Sequence, residues 1–122
     1  MFPQVWNALV SCHYETLSAR LDGYQRYTVL DQSYPAIVKS QLPASVDGIL
    51  YFDVTQTDLN ILDEFEGEIY QRVLATVETV DSVSIETFIY RIKDNFRYKL
   101  SDREWDPDKF FSQDLTEFLK WL

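Results

Sequence analysis

Cysteine, glycine and long apolar runs are all scarce in this sequence of 122 residues. The single cysteine, Cys12, has no partner for an internal disulfide and none spaced as a metal ligand, which suits a reducing compartment. No uninterrupted apolar run approaches the roughly 20 residues of a membrane span. Residues 1–10 also lack the basic start and the cleavage site of a secretory signal. We therefore expect a cytoplasmic protein that does not associate with a membrane.

Only three glycines are present, and no repeat, low-complexity tract or Gly/Ser-rich linker interrupts the chain. The length is that of one ordinary domain. An apolar share of 46% with 16% aromatic residues exceeds what a disordered chain carries. The sequence thus predicts a single folded domain that comprises residues 1–122.

Basic residues are outnumbered, with 11 of them against 20 acidic residues and a net charge of −9 at pH 7. This is the wrong sign for a domain that neutralises phosphates, so we expect no nucleic-acid partner. The acidic surplus does not select a cationic ligand, because it is typical of soluble protein surfaces. The sequence contains no indication of the oligomeric state.

Helical and strand patterns are both present. Pro3 is tolerated in a first helical turn. Apolar residues then recur at helical spacing and predict a short N-terminal helix, namely Phe2, Val5, Trp6, Leu9 and Val10. From about Arg20 the pattern becomes rich in β-forming residues and predicts five strands, at residues 23–30, 34–40, 46–54, 70–80 and 83–92.

A polar pair, Asp81 and Ser82, joins the last two predicted strands and favours an antiparallel hairpin. Near the C-terminus, Asp106 and Pro107 form a cap and first-turn pair. The helix that follows has one apolar face, made by Phe111, Leu115, Phe118 and Leu122. Strands in the middle of the chain and helices at its ends predict an α+β fold.

The segment 57–67, between the third and fourth predicted strands, has the pattern of one short helix. Thr57 can cap its start, Asp58 favours the positive end of the helix dipole, and Gly67 is typical just past a last turn. On a helical wheel the apolar arc spans about 160° and contains Leu59, Ile61, Leu62 and Phe65. Glu66 falls inside the edge of this arc, whereas Asp58 reaches the arc only at the first turn, where helices fray.

Glu66 is the candidate acid or base of this helix, since Glu64 lies on the opposite face. A carboxylate held on an apolar face loses hydration, which raises its pKa and suits it to proton transfer near neutral pH. The alternative is structural: Glu66 points to solvent from the last turn, or accepts hydrogen bonds from the backbone or from Arg72. Helical spacing alone leaves both interpretations open.

Residues 62–72 read Leu-Asp-Glu-Phe-Glu-Gly-Glu-Ile-Tyr-Gln-Arg. This run resembles the Leu-Asp-x-Phe-Glu-Gly-x-x-Tyr-x-Arg signature of gamma-glutamylcyclotransferase-like proteins, which include gamma-glutamylamine cyclotransferase and the plant avirulence-induced proteins. Residues 21–27, 34–38, 46–51 and 100–107 resemble further motifs of the family in the same order. The resemblance covers essentially the whole chain and implies a small mixed β-barrel with flanking helices.

The resemblance assigns the family's catalytic glutamate to Glu66. It implies that this carboxylate takes a proton from the α-amine of a small-molecule gamma-glutamyl substrate, whose amine then attacks the side-chain carbonyl and releases 5-oxoproline and a free amine. The substrate-binding candidates are Tyr70, Tyr34 and Arg72. Each also has a structural interpretation, respectively a core tyrosine, an extended residue before proline, and an ion pair. The implied reaction needs no metal and no organic cofactor.

One part of the family pattern is missing from the sequence. Family members open with a strand ending in Tyr-Gly-Ser/Thr-Leu, which holds the gamma-glutamyl group, whereas this sequence starts with Met1-Phe2-Pro3. Either the natural start lies upstream, or the chain is a truncated relative. We expect little activity without that segment, since each lost oxyanion donor costs about 2 to 4 kcal/mol, and we expect an exposed strand edge beside the gap. The alternative function is a non-catalytic binding or interaction domain of the same fold. The sequence does not identify the leaving amine.

Overall fold

The computed structural model describes residues 3–10, 12–41 and 43–120. Within them, the helices are α1 (Pro3–Leu9), α2 (Gln56–Glu66), α3 (Pro107–Lys109) and α4 (Leu115–Leu119). A 3-10 turn covers Asp94–Lys99, and a π-helical turn, Phe110–Asp114, joins α3 to α4. The strands are β1 (Thr16–Asp22), β2 (Tyr24–Val29), β3 (Pro35–Lys39), β4 (Ser45–Tyr51), β5 (Tyr70–Thr79), β6 (Ser84–Ile92) and β7 (Leu100–Glu104). None of these helices is long and apolar enough to cross a membrane.

The described strands form two sheets that curl into a half-barrel. One sheet has the order β4-β1-β5-β6 and the other β3-β2-β7, and all neighbours are antiparallel. The chain passes between the sheets at Gly23, whose φ of 81° favours glycine. Gly23 donates its N–H to the carbonyl of Ala44 and accepts the N–H of Ser40, both at 2.8 Å. The α+β barrel fold is thus confirmed, as an open antiparallel half-barrel.

Two buried apolar clusters connect the sheets. The first combines side chains of β1, β2, β4 and β5, and the second combines side chains of β2, β3 and β6. Their buried members are Leu21, Tyr24, Leu50 and Val77 in the first, and Val29, Ala36, Val38 and Ile92 in the second. Because each cluster takes residues from both sheets, burial of apolar area holds the two sheets together at both clusters.

The prediction of five strands is wrong, because β1 and β7 were not expected. Strand β1 alternates apolar and polar residues from Leu17 through Ala19 to Leu21. The β-rich pattern predicted from the sequence begins only at about Arg20, so it misses most of this strand. Strand β7 reads Leu-Ser-Asp-Arg-Glu and lies at the edge of its sheet. An edge strand with one apolar residue buries little, so its pairing with β2 has almost no trace in the pattern.

The predicted hairpin of the fourth and fifth strands is confirmed. Strands β5 and β6 pair antiparallel from Tyr70 opposite Ile92 to Glu78 opposite Ser84. The turn at the expected position closes with a hydrogen bond from the Thr79 N–H to the Val83 carbonyl at 2.8 Å.

The N-terminal helix is confirmed as α1, and the C-terminal helix begins where it was predicted. The Asp106 carboxylate accepts the N–H groups of Asp108 and Lys109 at 2.9 and 3.3 Å.

The predicted apolar face of the C-terminal helix is wrong at Phe111, which is 53% exposed, while Phe110 is 4% exposed. The π-helical turn explains the difference, since a π turn brings residues five apart onto one face and aligns Phe110 with Leu115. Both pack against Val5 of α1, with Phe118 beside them. Leu122 and Phe2, which were expected to join these helices, lie outside the described residues.

Helix α2 starts two residues earlier than predicted. The cap is Thr55, whose hydroxyl accepts the Asp58 N–H at 3.2 Å, and not Thr57. Asp58 is 4% exposed rather than frayed, and the Tyr14 hydroxyl donates to its carboxylate. On the apolar arc, Leu62 is buried but Ile61 is 38% exposed.

Candidate active site

Glu66 is the last residue of α2 and is partly buried. Gly67 follows with a φ of 78°, and its N–H donates to the carbonyl of Asp63 at 3.2 Å, which ends the helix. The predicted position at the end of a short helix is therefore what the structure contains. The role of Glu66 as an acid or base stays a prediction.

The Glu66 carboxyl lies in an environment that favours its protonated form. Burial is the main cause that raises its pKa from 4.5 to about 7; the positive charge of the N-terminus opposes this rise, and the nearby Asp63 carboxylate adds to it. No residue of the described ranges hydrogen-bonds to the Glu66 side chain, so the interpretation in which Arg72 holds it is wrong. A carboxyl with a pKa near neutrality and without such a partner can both take and return a proton at physiological pH.

Tyr70, the first residue of β5, lies beside Glu66. Its hydroxyl donates to the Pro35 carbonyl at 2.8 Å, and its ring packs on the buried cluster that contains Ile92. Burial raises the pKa of Tyr70, and the charges of Glu66 and Tyr34 raise it further. Tyr70 is thus a packed tyrosine and, at the same time, a neighbour of the candidate acid.

Tyr34 lies near Tyr70, as the electrostatic influence between them implies. It packs on the same buried cluster, its ring contacts that of Phe118 edge-on with centroids 6.4 Å apart, and burial raises its pKa. Tyr34 therefore lies near Tyr70, which in turn lies beside Glu66. Their predicted contact with a substrate is not tested by this arrangement.

Arg72 is engaged by another partner. Its Nε and a terminal nitrogen donate to the two carboxylate oxygens of Asp63 at 3.0 and 3.2 Å, and its guanidinium lies 4.5 Å from the ring centroid of Phe88. Two parallel hydrogen bonds to one carboxylate give a geometrically specific pair. The structural interpretation of Arg72 as an ion pair is therefore correct, with Asp63 as its partner.

Asp63 and Tyr90 belong to this region and were missed from the sequence. The Tyr90 hydroxyl donates to the same Asp63 carboxylate at 2.5 Å, while Arg72 and Tyr90 stand directly opposite each other on β5 and β6. Two signals point to them: Asp63 lies three residues before Glu66 on one helix, and the hairpin register pairs Tyr90 with Arg72. Neither signal is useful until α2 is known to pack on this hairpin.

Two open hollows, of about 440 and 450 Å³, lie elsewhere on the surface. Arg20 lines both of them, and neither is lined by Glu66, Tyr70 or Tyr34. Among residues 3–10, 12–41 and 43–120, no group of three histidine, cysteine, aspartate or glutamate side chains is arranged to hold a metal ion.

The fold and the site define an α+β half-barrel protein that holds, at the end of a helix, a carboxyl group with a pKa near neutrality. The sequence model of one family, described as gamma-glutamyl cyclotransferase, AIG2-like, matches residues 1–107. The chain therefore belongs to this family, as its motifs predicted.

The chain is similar to several plant proteins. The chain is 31% identical to AIG2-like protein D of Arabidopsis thaliana over 108 residues, and 32% identical to Protein AIG2 C of the same plant over 117 residues. These matches cover 85% and 88% of the chain, but only 63% and 68% of the relatives. A solution structure of an Arabidopsis thaliana protein is similar with a TM-score of 0.73 and 26% identity, over 99% of this chain and 73% of that one.

Proposed function

We propose that the protein is a gamma-glutamylcyclotransferase that closes a gamma-glutamyl group on itself and releases 5-oxoproline and a free amine. Glu66 is its general acid and base. The observation that carries the proposal is the Glu66 carboxyl itself: partly buried at the end of α2, with a pKa of about 7, and free of hydrogen bonds from the described residues. Family membership supports the proposed reaction class.

The reaction begins with proton removal from the substrate. The ionised Glu66 carboxylate takes a proton from the α-amino group of the gamma-glutamyl compound, and the nitrogen attacks the side-chain carbonyl carbon. A new carbon–nitrogen bond closes the five-membered ring, and the bond to the departing nitrogen breaks. Glu66 returns the proton to that nitrogen, so the departing group leaves as a neutral amine and the carboxylate is regenerated.

Attacker and target belong to one molecule, so a site that holds the folded substrate supplies much of the rate. Tyr70, which lies beside Glu66, and Tyr34, which lies near Tyr70, are the proposed walls for the gamma-glutamyl group. The Tyr70 hydroxyl is engaged by the Pro35 carbonyl, which fixes the ring for contact through its face and edge. In this proposal Arg72 does not contact the substrate itself. Its Nε and a terminal nitrogen both donate to the Asp63 carboxylate, so Arg72 acts through Asp63.

The partner is a small gamma-glutamyl compound, and we propose a cytoplasmic location in keeping with the single exposed cysteine, Cys12. The proton transfers and the ring closure use only the substrate and Glu66, so the proposal includes no metal or organic cofactor.

The test is release of 5-oxoproline from a panel of gamma-glutamyl peptides, amino acids and gamma-glutamyl-lysine. The protein is assayed with and without an added N-terminal Tyr-Gly-Thr-Leu, the motif that resembles the family's binding segment. Glu66→Gln keeps the shape and removes the base, so kcat falls by roughly a hundredfold or more while KM changes little. Glu64→Gln, an exposed acid of the same helix, is the matched control and keeps full activity.

Two outcomes contradict the proposal. Full kcat in the Glu66→Gln protein removes Glu66 from the mechanism. A protein that is inert toward every gamma-glutamyl compound, with and without the added motif, is better described as a non-catalytic binding domain of this fold.

A further inference from the structure

Asp63 connects the last turn of α2 to the β5–β6 hairpin. Its carboxylate receives three hydrogen bonds: two from the Arg72 guanidinium at 3.0 and 3.2 Å, and one from the Tyr90 hydroxyl at 2.5 Å. Arg72 comes from β5 and Tyr90 from β6, and the two stand directly opposite each other in the sheet register. One carboxylate therefore joins the helix to both strands of the hairpin.

The same residue also closes the helix that presents Glu66. The backbone carbonyl of Asp63 accepts the Gly67 N–H at 3.2 Å, so the turn that contains Glu66 is fixed at its end. Residues three apart on a helix lie on one face, with about 5 to 6 Å between their Cβ atoms. A side chain anchored at Asp63 thus limits the movement of Glu66 relative to the hairpin, whose first residue is Tyr70.

This ion pair is only partly covered, with side-chain exposures of 39% for Asp63 and 23% for Arg72. Exposed ion pairs contribute little to stability as a rule. Here, two arginine nitrogens and a tyrosine hydroxyl all donate to one carboxylate, which is a more specific arrangement than a simple surface ion pair. It occurs one helical turn from the candidate acid. The arrangement is therefore better explained by the position it gives to Glu66 than by the stability it adds.

We infer that Asp63, clamped by Arg72 and Tyr90, is a positioning residue that holds the Glu66 carboxyl at a fixed place and in a fixed electrostatic environment beside Tyr70. This inference rests on the proposed function for its catalytic consequence. Asp63 belongs to the same signature as Glu66, but the proton transfers of the reaction do not use it. Asp63 does not touch the reacting atoms.

Five titratable groups meet here from three elements: Asp63 and Glu66 from α2, Arg72 and Tyr70 from β5, and Tyr90, a neutral donor, from β6. The positive charge of the N-terminus also acts on Glu66 and lowers its pKa. The Asp63 charge favours the protonated form of Glu66 and so raises its pKa, in the same direction as burial. Burial, the hydrogen bond to Asp63 and the charges of Asp63 and Glu66 raise the pKa of Tyr90, which keeps its hydroxyl protonated as a donor. Loss of the Asp63 charge therefore lowers the pKa of Glu66.

The test compares Asp63→Asn with the wild-type protein. Asparagine keeps an oxygen that can accept from Arg72 and Tyr90, so the fold is retained while the charge is lost. Carboxyl carbon NMR then follows the titration of Glu66, and we expect its pKa to fall by about one pH unit. If the protein turns over gamma-glutamyl compounds, kcat falls about tenfold or more with little change in KM, and the acidic limb of the rate profile moves down with the pKa.

Tyr90→Phe and Glu64→Gln complete the series. Tyr90→Phe removes one anchor and keeps the Asp63 charge, so kcat falls severalfold and the Glu66 pKa moves less than in Asp63→Asn. Glu64→Gln removes a charge from an exposed position on the same helix and leaves both readouts at their wild-type values.

An unchanged Glu66 pKa and an unchanged kcat in Asp63→Asn, with only a lower melting temperature, would overturn the inference and leave a structural ion pair. The titration does not require turnover, so it decides the role of Asp63 even if no 5-oxoproline is released. Failure of the proposed function is a separate result, since it appears as an inert wild-type protein.

Discussion

Burial of Glu66 makes the stability of this protein depend on pH in a way that Glu66→Gln removes. Burial, with the Asp63 charge in addition, raises the pKa of the folded carboxyl from 4.5 to about 7. The folded protein thus holds this proton more tightly than the unfolded chain does. The stabilising contribution is fully present below about pH 4.5, the ordinary value, and is lost as the pH rises through 7.

The size of the effect follows from the two pKa values. At about 1.4 kcal/mol per pKa unit, the wild-type protein loses about 2 to 3 kcal/mol of unfolding free energy between pH 5 and pH 8 through this one group. Glutamine is neutral throughout this range, so the Glu66→Gln protein does not lose it. The other carboxyl groups titrate in both proteins and cancel when the two are compared.

Urea unfolding followed by tryptophan fluorescence at pH 5, 6, 7 and 8 measures this difference. We expect the unfolding free energy of the Glu66→Gln protein, relative to that of the wild type, to rise steadily up to about pH 7 and to level off above it. Glu64→Gln removes an exposed acid from the same helix and should keep the wild-type dependence. Parallel curves for the wild-type and Glu66→Gln proteins would refute the reasoning, because they would mean that Glu66 titrates as it does in water.

The two remaining predictions concern the elements that hold the site, and urea unfolding measures both. Thr55→Ala removes the helix cap and lowers the unfolding free energy by about 1 kcal/mol, whereas Thr57→Ala lowers it by only a few tenths of a kcal/mol. The opposite order would mean that Thr57 is the cap. Tyr70→Phe leaves the Pro35 carbonyl without its hydroxyl donor and costs about 1 to 3 kcal/mol. A cost near zero would mean that water replaces this hydrogen bond and that the Tyr70 ring is not fixed by it.

Local patterns predicted the parts of the fold that depend on neighbouring residues. The hairpin around Asp81, the end of α2 at Gly67 and the cap at Asp106 were all readable, because each depends on a turn or cap residue beside a periodic run. The strand β7 and the burial of Phe110 were not. The first is a polar edge strand, and the second depends on a π-helical turn that shifts the apolar face by one residue.

The candidate site divides in the same way. The signature predicted Glu66, and the structure adds the burial that accounts for its raised pKa. The contact of Asp63 with Arg72 and Tyr90 joins a helix to two strands that are 9 and 27 residues away. No helical or strand period connects such positions, so this part of the site needs the tertiary structure.

The pH dependence of kcat/KM for 5-oxoproline release tests the central claim most directly, because it reports the ionisation of the free enzyme's base. It is measured on the wild-type protein with its best gamma-glutamyl substrate, with the Tyr-Gly-Thr-Leu motif added. The account predicts an acidic limb with an apparent pKa of about 7 or somewhat above, because burial raises the pKa of Glu66 to about 7 and the added motif moves away the N-terminal charge that lowers it. It also predicts at least a hundredfold loss of kcat in Glu66→Gln. A limb near 4.5, or turnover that survives in Glu66→Gln, would contradict it.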